Sequence, residues 1–326
     1  MDMRSMLFTA AAEGAHLRAA ASAADGPLSG LGMPRSVILI TGEARARLAA
    51  EAVVALASDA RCPIMVARYV PHFTGALDLV MVLTDDPGDE LAARSLAEAD
   101  RRGAATVLVG PDEGPVRHAA SSSTVLIQRP TMSIIGSFCG YIGAVFATLT
   151  GAGVSGLGPA AVLRDVADAV DAEAIACSAE RDLLVNPARQ LAEWVRGRSV
   201  VFAGDGEVWR TVAELAAAWL CDAGVTAHGA ALTDVLRAAH TFSPRVDDIF
   251  FDPEFDDPAA APAGPPRGAV VLTSSENLEA TTARVGELPW VRVECPAEDV
   301  EVHHQLVDVC VSAARVAAAA AYVMEE

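Results

Sequence analysis

The chain contains no lysine; all 24 of its basic residues are Arg. That absence excludes chemistry needing a side-chain amine, including Schiff-base aldolases and pyridoxal enzymes. It also excludes a phosphate loop of the GxxxxGK[ST] type. Aromatic residues are scarce, at 5% against 52% hydrophobic. The core is therefore built mainly from Ala, Val and Leu, which suits helices packed on a parallel sheet. Positive charge is in deficit: the net charge is -19 and no basic stripe is present. A nucleic acid or an acidic membrane surface would be repelled, so neither is expected as a partner.

Other signatures are missing too. The six cysteines, Cys62, Cys139, Cys177, Cys221, Cys295 and Cys310, form no CxxC pair and no Cys/His metal spacing. They read as buried thiols in a reducing compartment. With no export signal visible, a cytoplasmic location is expected. No metal and no cofactor are expected. Gly204-Asp205-Gly206 is followed by Trp209 where a dinucleotide fingerprint needs glycine. It reads as a tight turn, with a small anionic ligand as the alternative. No GxSxG elbow supports a Ser/His/Asp triad. His303-His304 are adjacent, so they would not share a face of a helix. The acidic group Asp247, Asp248, Asp252, Glu254, Asp256 and Asp257 has no internal glycine turn and reads as a solvated edge rather than a calcium site.

What is present is a regular alternation. Apolar runs at 36–41, 62–69, 77–84, 105–110 and 123–128 read as strands, with helical periodicity over 43–58 and 90–102. From Pro130 to Leu163 no residue is charged. A membrane span is one reading. Seven glycines and the lack of flanking positive clusters and of an aromatic belt favour a buried helix, Met132 to Thr150, followed by a glycine-rich loop. Its small residues would admit another backbone closely, which suggests a subunit interface and a homodimer.

The pattern restarts at Asn186-Pro187, a helix cap with proline in the first turn. Strands are expected at 198–206, 247–251, 268–274 and 289–296, with helices over 208–221 and from about 302 to 323. The fold class is therefore α/β: two tandem halves, each a mostly parallel sheet flanked by helices. The expected divisions are 1–34, an N-terminal helix and loop; 35–158, the first half; 159–185, a helical connector; and 186–326, the second half. Each half opens with a strand running into a glycine turn.

The string NPARQLAEWVRGRSVVFAG, from Asn186 to Gly204, and the spacing of the two halves resemble the bifunctional phosphoglucose/phosphomannose isomerases of the SIS (sugar isomerase) superfamily. The likeness spans about residues 30–326. It implies two SIS-type subdomains, a sugar phosphate or related carbohydrate derivative as ligand, and proton transfer between aldose and ketose. In that family the first glycine turn and the loop after the third strand hold the phosphate. The matching residues are Thr41, Gly42, Thr84 and Gly88, with Arg129 or Thr131 near the place of the catalytic arginine. Asp222 falls at the position of the base, and His240 at that of the ring-opening group. The matching turns also carry Glu43, Asp85, Asp86, Asp89 and Glu90. A like-charge pair near 4 Å at a surface costs on the order of 4 kcal/mol. Two functions are thus expected: an isomerase-like protein with weakened or lost activity, or a non-catalytic SIS-type protein binding a carbohydrate derivative or a partner enzyme.

Overall fold

The computed structural model describes residues 3–128, 137–154, 157–242, 265–286, 288–296 and 304–325. The first half begins with two helices, α1 (Met3–Ala11) and α2 (Glu13–Ala24), where one was expected. Then come β1 (Val37–Thr41), α3 (Ala44–Leu56), β2 (Ile64–Ala67), β3 (Leu79–Leu83), α4 (Glu90–Arg101), β4 (Ala105–Gly110), α5 (Gly114–Ala119), β5 (Val125–Gln128) and α6 (Phe138–Gly151). The connector is α7 (Val162–Ala176). The second half holds α8 (Pro187–Val195), β6 (Ser199–Gly204), α9 (Glu207–Asp222), β7 (Ala227–Ala231), α10 (Leu232–Arg237), β8 (Arg267–Leu272), α11 (Leu278–Val285), β9 (Val291–Glu294) and α12 (Gln305–Val323). The strand expected at Asp247–Phe251 lies outside the described residues, as do Met132 and the acidic group that begins at Asp247.

Both sheets are wholly parallel. Their orders are β2-β1-β3-β4-β5 and β7-β6-β8-β9, so the first four strands repeat one topology. The helices repeat as well. α2 packs on α6 as α8 packs on α12, and α3 packs on α6 as α9 packs on α12. α3 and α9 meet antiparallel: Arg45 pairs with Asp222, and two residues later Arg47 reaches back to Glu214. The repeat is one of fold, and the halves relate as if by a two-fold axis beside α3 and α9.

One apolar core lies between the sheets. It takes Leu39, Met81 and Val107 from the first, Phe202, Val270 and Leu272 from the second, and α2, α3, α6, α9 and α12 between them. The outer faces have separate cores, one under α4 and α5 and one under α10 and α11. α12 is long and apolar enough to cross a membrane, and 94% of its apolar window is buried inside the protein. It carries one ionic group inward. Arg315 donates to Glu173 of α7 and to Glu294 of β9, and all three are buried. The two carboxylates hold the guanidinium charged, raising its pKa against the opposing effect of burial.

The charge-free run forms a buried helix as expected, within α6. Its glycines serve an approach inside the chain. A Cβ at Gly140 would meet His16, and one at Gly143 would meet Leu17 and Ala20, all on α2. Of the six free thiols, Cys139, Cys177 and Cys310 are buried, whereas Cys221 is exposed. Cys221 lies in the last turn of α9, where its side of the helix leaves the core.

Candidate functional site

In a parallel sheet of order 2-1-3, the crevice opens where β1 and its neighbour β3 send their connections to opposite sides. The carboxyl end of β1 is Thr41, in register with Leu83 of β3. Gly42 and Glu43 then lead into α3, and Thr84 to Asp89 lead into α4. Four of the sequence candidates, Thr41, Gly42, Thr84 and Gly88, therefore belong to the two turns that frame one crevice. Thr41 and Thr84 are both buried.

The centre of this crevice is occupied by a carboxylate of the chain. Asp89 Oδ1 accepts from the backbone N–H groups of Leu91 and Ala92, at 2.9 and 3.0 Å. Its Oδ2 accepts from the Thr84 hydroxyl at 3.2 Å. A Cβ at Gly42 would lie 2.8 Å from that same Oδ2. The glycine turn, the hydroxyl and the first-turn amides of α4 all converge on Asp89. These are the groups that would satisfy a phosphate dianion. Asp86 instead turns back on its own loop, where Oδ1 accepts from Gly88 N–H at 2.7 Å.

A second carboxylate closes the N-terminus of α6. Glu13 of α2 accepts from the Ser137 hydroxyl and from Cys139 N–H, the latter at 3.0 Å. Burial raises the pKa of Glu13, and the Ser137 and Cys139 hydrogen bonds only partly oppose it. Between the two capped helices, Tyr141 Oη is hydrogen-bonded to Glu43 and, at 2.7 Å, to Asp85. Burial, then Asp85 and Glu43, push the phenol well above its ordinary pKa. It stays protonated and is shared between two acid side chains. A small cleft open to solvent lies against this bridge. His16, Thr84, Asp85, Gln128, Ser137 and Tyr141 supply its polar wall. Hydroxyl, amide, imidazole and carboxylate groups are the ones that pair with the hydroxyls of a small polyhydroxylated ligand.

The two residues expected as a catalytic pair in the second half stand on separate elements. Asp222 ends α9, and its carboxylate is paired with Arg45 at 3.2 Å. Because β7 runs parallel to β6, α9 must return the chain to the amino end of the strands, so Asp222 lies away from the carboxyl-end crevice. His240 lies beyond α10, in an exposed 3-10 turn, Ala239–Thr241. Among the described residues no hydrogen bond or ion pair joins it to Asp222. Arg129, Thr131 and His303 lie outside the described residues. His304 caps α12: Nδ1 accepts from Leu306 N–H at 3.1 Å while Nε2 faces the Leu157 carbonyl at 2.9 Å. Among the described residues no group of three or more His, Cys, Asp or Glu is placed to hold a metal.

The corresponding crevice of the second half is built differently. Gly206 has a φ of 97°, and the Gly204 turn lies directly against the backbone of Trp209 and Arg210, so it is a tight turn. Asp205 is bound by Arg284 at 2.6 Å and by Thr281. Ser275 donates to Asp308 at 3.1 Å.

Sequence reasoning missed Glu13, Ser137 and Tyr141. The available signals were an acid in an alanine-rich helix and one phenol inside a charge-free run. Their partners are 124, 98 and 56 residues away along the chain.

No family model matches the sequence, and no curated protein matches it. Solved structures do match. The C-terminal domain of glucosamine-fructose-6-phosphate aminotransferase from Francisella tularensis superposes with a TM-score of 0.66 at 10% identity, covering 98% of this chain and 95% of that one. A Clostridium difficile 630 protein provisionally assigned as a phosphosugar isomerase gives 0.65 at 10% identity, covering 100% and 94%. Glucosamine-6-phosphate deaminase from Thermotoga maritima gives 0.60 at 8%, covering 94% and 92%. Likeness at such identity establishes architecture and not activity. The fold expected from the resemblance is the fold of the chain: two tandem SIS-type α/β subdomains with parallel sheets.

Proposed function

We propose that this protein binds an unphosphorylated carbohydrate derivative in the first-half crevice and does not interconvert hexose phosphates. The observation that carries this reading is Asp89, whose carboxylate takes the α4 amides and the Thr84 hydroxyl. A phosphate could enter only beside that charge. At a separation near 4 Å, each unit of like charge costs on the order of 4 kcal/mol. The fold likeness supports a sugar-sized ligand, and the hydroxyl- and carboxylate-bearing wall of the cleft supports one without a phosphate. The state of Asp222 supports the absence of turnover. Proton transfer between adjacent carbons needs a base beside the substrate, and Asp222 is engaged with Arg45.

The test is direct. Purified protein is incubated with fructose 6-phosphate, and glucose and mannose 6-phosphates are followed. The expected result is no turnover above an Asp222→Asn control. Thermal shifts are then compared for hexoses, amino sugars and their 6-phosphates. A ligand at about 100 times its Kd should add roughly 2.7 kcal/mol of stability. Stabilisation by an unphosphorylated sugar alone is expected, and stabilisation by the phosphates alone would contradict the reading.

A further inference from the structure

A parallel sheet is ordinarily covered on both faces, because its crossovers lay helices across them. Outside one place, the crossovers described in full here do so: α3, α4 and α5 in the first half, α9 and α11 in the second. The exception joins β2 to β3. Residues 68–78 contain turns but no helix. The second half shows what is missing. There the equivalent strand, β7, is followed by α10, which buries Leu232 and Val235 against the outer face of the sheet.

Here the loop covers the outer face only in part, with Val70 packed against the core that holds Ile38 and Ile40, and what it leaves exposed is apolar. Met65 and Ala67 are in register with Ile38 and Ile40, so they lie on the outer face, above the core that α4 and α5 cover further along. Met65 is 40% exposed, and in the segment that follows it Tyr69, Phe73 and Leu77 are 65%, 54% and 70% exposed. Several large side chains left in water along one loop and one edge strand mark a contact surface. The loop that carries them is well held. Arg35 donates to the Phe73 carbonyl and pairs with buried Asp78, and Arg102 donates to the Pro71 carbonyl.

Its charge is opposite to that of the molecule. Between Asp59 and Asp78 there is no acidic residue, while Arg61, Arg68 and His72 are present and exposed, in a chain of net charge -19. Arg61 and Arg68 form no ion pair among the described residues. A second copy placed two-fold on this surface would bring Arg68 toward Arg68. An anionic membrane would attract this edge but be repelled by the rest.

We propose that the outer face at β2 is a docking site for an amphipathic helix of another protein. The helix lays an apolar stripe on Met65, Tyr69, Phe73 and Leu77, and its acidic flanks face Arg61 and Arg68. It takes the position that α10 takes in the second half. Helix-in-groove recognition of this kind is read through apolar anchors on one face, with charge setting the choice of partner.

The experiment uses the full chain and a labelled synthetic amphipathic helix with a leucine stripe and glutamate flanks, followed by fluorescence anisotropy. The control is the same helix with arginine flanks. The glutamate helix binds and the arginine helix does not. Leu77→Asp weakens the glutamate helix by about tenfold or more, the scale of a lost anchor. Arg68→Glu moves the preference toward the arginine helix. Tyr69→Ser repeats the first readout should Leu77→Asp lower the melting temperature. Equal affinity for the two helices, or no binding of the glutamate helix, overturns the proposal. So does binding to phosphatidylserine vesicles through this face, or self-association of the wild type that Leu77→Asp abolishes.

Discussion

The two halves share a strand order and place a glycine turn at the same point, yet their crevices differ in what the turns hold. In the first half, Gly42 lies against the carboxylate of Asp89, which takes the helix amides and the Thr84 hydroxyl. In the second, Gly204 lies against the backbone of its own helix, and Asp205 is neutralised by Arg284. The same topology thus yields one glycine that yields space to a side chain and one that permits a tight turn. Topology sets where a site lies, and the side chains at the strand ends set whether a phosphate can enter it.

The largest effect expected concerns the ion network that ties α12 and β9 of the second half to the connector α7 and has no counterpart described in the first half. Arg315→Ala leaves Glu173 buried without a cation, while Glu294 keeps Arg292, and removing one partner of such a group costs about 3–5 kcal/mol. Urea denaturation measures it. A loss below about 1 kcal/mol would show that water reaches Glu173. Next come the glycines. Gly204→Ala drives a methyl group into the backbone of Trp209 and Arg210, which cannot move aside, and should cost about 3 kcal/mol. Gly42→Ala meets only the end of the Asp89 side chain, so its cost should be smaller and should fall in an Asp89→Ala background. A double-mutant cycle reads that coupling. Additive effects would break the contrast between the two turns.

Much of this was legible in the sequence. The five strands of the first half are apolar, β-branched runs closed by turn residues, and they fall where that pattern placed them. Asn186 caps α8 as its sequence signature implies, accepting from Arg189 N–H at 3.0 Å. β7 was not legible: its sequence is AHGAA, without a β-branched residue, and only pairing with β6 makes it a strand. α5 was missed because six residues carry too little periodicity. For the site, the acidic residues of the turn before α4 were visible. That Asp89 would also receive the Thr84 hydroxyl and wedge against Gly42 depends on how closely β1 and β3 bring their ends together. The Glu13 contacts depend on α2 meeting α6, and those of Tyr141 on α6 meeting the turns after β1 and β3; long-range packing leaves no local mark.

Two smaller effects sharpen the account of the first crevice. Asp89→Ala removes a helix cap and should cost about 1 kcal/mol, measured by thermal or urea unfolding. Glu13 sets a pH dependence whose sign follows from its raised pKa. The folded protein holds this proton to higher pH than the unfolded chain does. The stability it contributes is fully present below the ordinary value of 4.5 and is lost as pH rises through the folded value. Glu13→Gln should therefore gain on the wild type as pH is raised from about 4 to about 7. A difference that stays constant over that range would place the carboxyl in a wetter setting than its burial beside Ser137 implies.

The central claim is that Asp89 fills the place of a phosphate. Calorimetric titration of fructose 6-phosphate into the wild type and into Asp89→Ser tests it most directly. The serine keeps a capping hydroxyl and removes the charge. No binding to the wild type and measurable binding to Asp89→Ser is the predicted result. Binding to the wild type that Asp89→Ser weakens would contradict it.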